Sequence, residues 1–355
     1  MKIGILTHHY INNFGAFLQG YALQEAISML FPSDEVYIID YVNYKHFFIN
    51  TCGWFRFYRS KENLFIWLEK IRLPMTFSNE RKKYMKLTKR CSNAKELNSI
   101  KLDCIIVGSD EVWNYQDRKS NDPIKFGIGL NVRKLIAYAP SVGQTTGENA
   151  PSYVLNGIRK FTAVSARDDL TEKLAEQIRG EKITRVTDPT FLTGFPDEPV
   201  PEVKKPYIMF YYCDGLANEE KDKIFTYAEN NGFSVYGAGE CDKHYSKSTV
   251  NLTPFQWIWM FRNASYVLTG TFHGTVFSLL NHRQFVCFLK NPSRIQKVGS
   301  LLKEFGLSDR QCEGKAKNML STMKQPIDYE AVQKIFDRRK AESLDFIKES
   351  ILVDK

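Results

Sequence analysis

The stretch 264–280, Ala-Ser-Tyr-Val-Leu-Thr-Gly-Thr-Phe-His-Gly-Thr-Val-Phe-Ser-Leu-Leu, puts an imidazole, two glycines and three threonine hydroxyls where a strand pattern gives way to a helix pattern. The apolar run Tyr266-Val267-Leu268 ends in Thr269-Gly270-Thr271; Phe272 and His273 follow, then Gly274, Thr275 and an apolar helical run. His273 is thereby predicted at or just before a helix N-terminus, beside backbone N–H groups that lack intrahelical partners. Such a turn suits a phosphate or a carboxylate. The competing reading is a capping turn whose histidine bonds its own backbone, and local pattern does not separate the two. Other reactive side chains fall at comparable places. Asp110 and Glu111 follow the apolar run Cys104–Val107, Arg167 follows Thr162–Ser165, and Arg294 opens a helix at Asn291-Pro292-Ser293. For Arg167 the alternative is an ion pair with Asp168 or Asp169. His8 and His9 end the first strand; each reads as a structural histidine, with one of them facing the cleft as the alternative.

These groups need a scaffold, and the apolar pattern supplies one. Lys2–Thr7 reads as a strand, Asn12–Ala16 as a glycine turn, Phe17–Leu30 as a helix and Val36–Tyr41 as a second strand. That order is a βαβ unit, so a parallel sheet with a right-handed crossover is expected. Strands follow at Cys104–Val107, Leu135–Ala139, Thr162–Ser165 and Thr184–Val186, each closing in a polar turn. Residues 193–206 carry four prolines and read as a linker. Beyond it come strands at Tyr207–Tyr211, Ser234–Tyr236, Tyr266–Leu268 and Phe285–Phe288, with helices at Glu219–Asn230, Pro254–Phe261, Gly274–Leu280 and Ile295–Phe305. A charged amphipathic helix, about Tyr329–Ile351, ends the chain. The expected fold class is α/β with two Rossmann-like doubly wound domains. The first covers 1–195 with an insertion at about 45–90, the second 205–325, and a C-terminal helix at 328–352 packs back on the first. Doubly wound sheets place ligands outside the carboxyl ends of their strands, here in the inter-domain cleft.

The chain has 355 residues, 43% hydrophobic and 25% charged, which is ordinary for a globular protein. No apolar run approaches a bilayer-spanning length, and Met1–Thr7 enters a strand pattern with no secretory segment, so a cytoplasmic protein is expected, at the inner face of the membrane if it meets one. Seven scattered cysteines without a Cys-x-x-Cys pair speak against zinc and a disulfide framework. There is no Asp-x-Asp and no His-x-x-x-His, so no metal and no other cofactor are expected. The net charge of +9 is concentrated. Between Lys45 and Arg90 there are twelve Lys/Arg against three Asp/Glu, interleaved with Phe47, Phe48, Trp54, Phe55, Phe57, Tyr58, Phe65 and Trp67. Such a segment either rests on anionic headgroups as a peripheral membrane contact or is a helical excursion with a solvated basic face. No nucleic-acid motif accompanies it.

Taken in order, several turns resemble the polysaccharide pyruvyltransferase family. They are Asn13-Phe14-Gly15-Ala16-Phe17-Leu18-Gln19 with Tyr21-Ala22-Leu23, Gly108-Ser109-Asp110-Glu111-Val112-Trp113-Asn114 and Tyr138-Ala139-Pro140-Ser141-Val142-Gly143. Ser165-Ala166-Arg167-Asp168, Asp188-Pro189-Thr190 and Thr271-Phe272-His273-Gly274-Thr275 complete the set, and the resemblance runs from about residue 3 to 307. It implies a glycosyltransferase-B-like arrangement and a transferase that moves pyruvyl from phosphoenolpyruvate onto two hydroxyls of a sugar. The product is a pyruvate ketal in a surface polysaccharide, capsule or exopolysaccharide, or in its lipid-linked precursor. Galactose and N-acetylhexosamines are the implied acceptors, galactose first. Some members carry an Arg two positions before the motif's His, where this chain has Thr271, so Arg294 is the substitute candidate. On this basis His273 is the expected general acid and phosphate ligand, with Arg167, Arg294, Gly274 and Thr275 on the donor. Asp110 or Glu111 is the expected base, with a helix cap as the alternative for Asp110. Asn13, Gly15, Gln19 and Trp113 are expected at the acceptor, although a core side chain is the commoner outcome for a tryptophan such as Trp113. The alternatives are a nucleotide-sugar-dependent glycosyltransferase on the same fold and a non-catalytic glycan-binding protein.

Overall fold

The computed structural model describes residues 1–58, 63–313 and 318–353. In chain order the first elements are β1 (Lys2–Leu6), α1 (Phe14–Leu30), β2 (Glu35–Ile38), α2 (Tyr44–Gly53), α3 (Leu64–Lys70), α4 (Leu73–Tyr84) and α5 (Ala94–Asn98). Next come β3 (Cys104–Val107), β4 (Lys134–Ala137), α6 (Ser152–Lys160), β5 (Ala163–Ala166), α7 (Asp169–Arg179) and β6 (Thr184–Arg185). The remainder is β7 (Tyr207–Tyr211), α8 (Asn218–Asn230), β8 (Ser234–Gly237), α9 (Pro254–Asn263), β9 (Tyr266–Thr269), α10 (Phe272–Leu280), β10 (Gln284–Leu289), α11 (Pro292–Glu304), β11 (Gln311–Glu313), α12 (Met319–Lys324) and α13 (Tyr329–Leu352).

Two compact units result: 1–53 with 78–194 and 336–355, and 54–77 with 195–335. The first holds a six-stranded sheet of order β2-β1-β3-β4-β5-β6, parallel throughout, with Ile3 opposite Val36 on one side and Cys104 on the other. Its central strands β3 and β4 are short runs buried on both faces, as a sheet covered by helices requires. Ile105, Val107, Trp113, Phe126, Ala137 and Ile158 belong to the core between sheet and helices. The second unit holds a parallel sheet of order β11-β10-β9-β7-β8, with Ile208, Phe210, Leu268, Val286 and Phe288 in its core.

In each sheet the direction of winding reverses once, between β1 and β3 in the first and between β7 and β9 in the second. Ligands of doubly wound sheets bind at that reversal, outside the strands' carboxyl ends, because the flanking connections there depart to opposite faces.

The structure moves some expected boundaries. Asn12–Ala16, expected as a turn, already contains the start of α1, because the Asn13 side chain accepts from Ala16 N–H at 3.0 Å and caps the helix at Phe14. The excursion at 45–90, expected as an insertion in the first domain, is divided. α2 belongs to the first unit and 54–77 to the second, where Thr76 Oγ1 donates to Asn251 Oδ1 at 2.8 Å. In the first unit the later turns of α13 pack through Phe346 on Tyr138, and Ser343 Oγ accepts from Thr187 N–H at 2.9 Å. No helix among the described residues is long and apolar enough to cross a membrane.

Candidate active site

At the β1/β3 reversal of the first unit, five of the motifs quoted above close into one polar network. Gln19 Nε2 donates to Thr7 Oγ1 at 2.8 Å, and its Oε1 accepts from Ser109 N–H at 3.1 Å. Ser109 Oγ donates to the Ala139 carbonyl at 3.0 Å and accepts from Arg167 Nη1 at 3.2 Å. Arg167 pairs with Asp188 through Nη1 and with Asp110 through Nη2, the latter at 3.1 Å. Burial opposes the guanidinium's charge, but Asp188 and then Asp110 outweigh it and hold its pKa above the ordinary value. Gly108 permits this packing: its φ is 131°, and a Cβ there would lie 2.0 Å from the Tyr138 carbonyl oxygen.

The ion pairing weighed for Arg167 is therefore corrected. Asp168 caps α7 by accepting from Thr171 N–H at 2.9 Å, and Asp169 binds Arg185 at 2.8 Å. The partners of Arg167 are Asp110 and Asp188, the second of which no sequence argument had given a role. Glu111 turns away from Asp110 and accepts from Asn114 Nδ2 at 3.1 Å. The assignments at the acceptor change as well. Trp113 is fully buried, stacks on Phe126 with centroids 5.7 Å apart and donates from Nε1 to the Lys125 carbonyl at 2.9 Å, so it is a core side chain and cannot meet a sugar. Gln19 is fully buried too and ties the ends of β1 and β3 together instead of facing a ligand. Asn13 spends its side-chain oxygen on the α1 cap, and Gly15 is inside that helix rather than in an open glycine turn.

The second unit carries a separate cluster at the β7/β9 reversal. Thr271 is the N-cap of α10 and accepts from Gly274 N–H at 3.0 Å, which makes Phe272 and His273 the first two helical residues. His273 is half-buried and edge-on to Phe272, with centroids 5.5 Å apart. Arg294, near the start of α11, donates from Nη1 to the Gly270 carbonyl at 3.1 Å. That bond sets a guanidinium beside the turn leading to His273. Gly270 allows the backbone after β7 to pack against this turn, since a Cβ would lie 2.1 Å from the Tyr212 carbonyl oxygen. Gly274 and Thr275, expected as direct donor ligands, are corrected. The Gly274 N–H is taken by the cap, the Thr275 N–H donates to the Thr271 carbonyl at 3.1 Å, and Thr275 Oγ1 donates to the same carbonyl at 2.9 Å. They build the helix terminus that presents His273. Sequence reasoning also missed Glu240, which accepts from Tyr212 N–H and Tyr245 Oη, both at 2.7 Å, and fixes the turn after β7. Burial raises its carboxyl above the ordinary range.

The buried histidines of the first unit give a pH prediction. Burial, ahead of any charge, lowers His8 well below 6.5, lowers His9 beside Asp40, and lowers His46 to about 4. Once unfolded, these rings take up protons near pH 6.5; folded, they do not. The unfolded state binds more protons, so stability falls as pH drops below 6.5. Calorimetric melts from pH 7.5 to 5 are expected to show a falling midpoint whose slope lessens in His46→Gln. A flat profile rules out burial of neutral imidazoles.

All-parallel sheets with polar turns at both reversals define a two-unit α/β fold with Rossmann-like sheets, of the glycosyltransferase-B type. Among solved structures the chain is similar to UGT89C1 of Arabidopsis thaliana, solved with UDP-L-rhamnose, at 8% identity and TM-score 0.51, with 99% of each chain covered. It is also similar to the glycosyltransferase SnogD from Streptomyces nogalater (10% identity, TM-score 0.47, 97% and 94% covered) and to E. coli heptosyltransferase WaaC with ADP (12%, 0.42, 96% and 100%). At such identities the likeness is one of fold. No curated protein matches the sequence. The sequence model of the polysaccharide pyruvyl transferase family matches residues 13–290, and the chain belongs to that family.

Proposed function

We propose that the protein transfers the pyruvyl group of phosphoenolpyruvate to two hydroxyls of one sugar residue, forming a ketal and releasing phosphate. The carrying observation is that a chain of this family sets His273 at the N-terminus of α10 with Arg294 bonded to the preceding turn. A helix N-terminus, a guanidinium and an imidazole are what a donor with a phosphate and a carboxylate calls for. In this reading Arg294 binds the phosphate or carboxylate, and His273 delivers a proton to the methylene carbon. One hydroxyl attacks the adjacent carbon, phosphate leaves, and the second hydroxyl closes the ring. Of the two hydroxyl protons lost, one equivalent ends on the new methyl group and one on phosphate. Arg167, fixed by Asp110 and Asp188, holds the strand ends of the first unit in register.

Incubation with phosphoenolpyruvate and a panel of lipid-linked or nitrophenyl hexosides, galactosides first, tests the reading. Sugar-dependent phosphate release with the mass gain of one pyruvyl ketal is expected. Saturable binding of a nucleoside diphosphate with none of phosphoenolpyruvate turns the assignment to glycosyl transfer, and glycan binding without turnover of either donor turns it to a binding protein.

We further propose that the acceptor is met at a membrane. In the first unit α2 leaves Tyr44, Phe48 and Ile49 exposed; in the second, 54–77 leaves Phe55, Phe57, Leu64, Phe65 and Met75 exposed. Apolar side chains among basic ones suit an anionic interface. Co-sedimentation with phosphatidylglycerol vesicles, lost on mixed Phe55→Ser, Phe57→Ser and Phe65→Ser substitution and weakened by salt, is the expected result. Equal binding to purely zwitterionic vesicles, or none to either, removes the proposal.

A further inference from the structure

The first unit contains a second ionisable cluster that the family motifs do not cover. His8 lies two residues beyond β1, at the β1/β3 reversal; Lys125 is in the 3₁₀ turn Pro123–Phe126, and His46 is on α2. Lys125 is fully buried, and its Nζ is bonded to His8 Nε2, with the Ser120 carbonyl as a second, longer contact at 3.4 Å. Among the described residues no carboxylate makes an ion pair with it. Asp110, Asp117 and Asp122 face it from further off, and each is already engaged: Asp110 by Arg167, Asp117 by Ser120, and Asp122 by Tyr41 and Asn43. An ammonium buried without a contacting anion is costly, so this amine holds its proton weakly. His8 is itself 3% exposed and faces His46, centroids 5.0 Å apart, and His9. Its Nδ1 makes no hydrogen bond among the described residues.

An imidazole with one nitrogen against a buried amine and the other unbonded, at the carboxyl end of a strand beside the β1/β3 reversal, has the layout of a base backed by a proton store. We propose that His8 is the general base for the attacking acceptor hydroxyl, with Lys125 as the positioning residue that receives the relayed proton. This rests on the functional reading above only in needing a hydroxyl acceptor. In the competent state both groups are neutral, with His8 Nε2–H donating to Lys125 Nζ and a lone pair on Nδ1. As the hydroxyl oxygen's electron pair forms the new C–O bond, its proton passes to Nδ1. The Nε2–H bond then breaks and a new N–H bond forms at Nζ. His8 ends neutral, protonated at Nδ1, and Lys125 ends as the ammonium, with Asp110, Asp117 and Asp122 stabilising its charge. Burial lowers Lys125 to about 8 and His8 well below 6.5, so the competent state gains population as pH rises through about 8.

Three full-length proteins test this: wild type, His8→Gln and Lys125→Met, each with its melting midpoint recorded. In wild type, sugar-dependent phosphate release from phosphoenolpyruvate should rise with pH along a limb near 8. His8→Gln should lower it about 10²–10⁴-fold with calorimetric phosphoenolpyruvate binding unchanged. Lys125→Met should move the limb down from about 8 to below the ordinary imidazole value of about 6.5, because burial still lowers His8, a shift that a merely structural lysine does not produce. A His8→Gln protein at wild-type rate, or a limb unmoved in Lys125→Met, overturns the proposal. A second readout is independent of donor. With ¹³C-labelled lysine, the Lys125 resonance should titrate near pH 8 in wild type and shift in His8→Gln. Titration at the ordinary lysine value of about 10.4, blind to His8→Gln, overturns the proposal even in a preparation inert toward phosphoenolpyruvate. Wild-type inertness with the NMR result intact counts against the donor assignment alone.

Discussion

His273→Gln is expected to lower kcat for phosphate release from phosphoenolpyruvate by about 10²–10⁴-fold, the usual contribution of a positioned acid. The melting midpoint should be nearly unchanged. Glutamine keeps a side-chain N–H but carries no proton that titrates between pH 5 and 8. The side chain is half-buried at the second position of α10, whose start is fixed by the Thr271 cap and not by the imidazole. Losing the ring therefore removes chemistry and leaves the helix. Arg294→Met is the counterpart. A charge-assisted hydrogen bond of about 1.5–3 kcal/mol corresponds to roughly a ten- to hundredfold rise in KM for the donor with a smaller change in kcat. Stopped assays of both variants across donor concentration separate the roles. If His273→Gln raises KM while kcat holds, the imidazole binds and does not donate its proton, and the acid must be sought elsewhere.

The second large effect concerns stability. Arg167→Met is expected to destabilise the first unit by about 3–5 kcal/mol, because it leaves the carboxylates of Asp110 and Asp188 facing each other's surroundings without their cation. Asp188 is almost wholly buried and cannot recover hydration. The double variant Arg167→Met with Asp188→Asn should regain part of the loss, since removing both charges is cheaper than stranding one. Urea unfolding read by fluorescence measures this. An Arg167→Met protein as stable as wild type shows that the network is not structural and returns the guanidinium to ligand binding.

Much of the scaffold was readable from residue order. β3 and β7 appear with the expected bounds because each is an uninterrupted apolar run closed by turn residues, the signature of a strand buried on both faces. α10 begins two residues early because a threonine cap, not the glycine after His273, sets its start. β11 and α12 were not foreseen: three residues with polar ends and a six-residue helix carry too little periodicity to stand out, and they form because the β10 edge and the core beside it need cover. Within the site, sequence order brought forward Asp110, Arg167, His273 and Arg294 but could not say which groups face one another. Asp188 was visible only as part of a motif. Gln19 and Trp113 carry side chains that serve a ligand or a core equally well, and burial alone decides between those uses.

By itself, then, the sequence determined the alternating α/β order, the placement of polar turns at strand ends and the family. These follow from local patterns: apolar runs, caps and motif order all act within a few residues. Only the tertiary structure decided that Arg167 is tied to Asp110 and Asp188, that Arg294 reaches the turn before His273, and that Lys125 is buried against His8. Those outcomes depend on which strands lie side by side and on what is shut away from water, and neither is written in the spacing of residues along a chain.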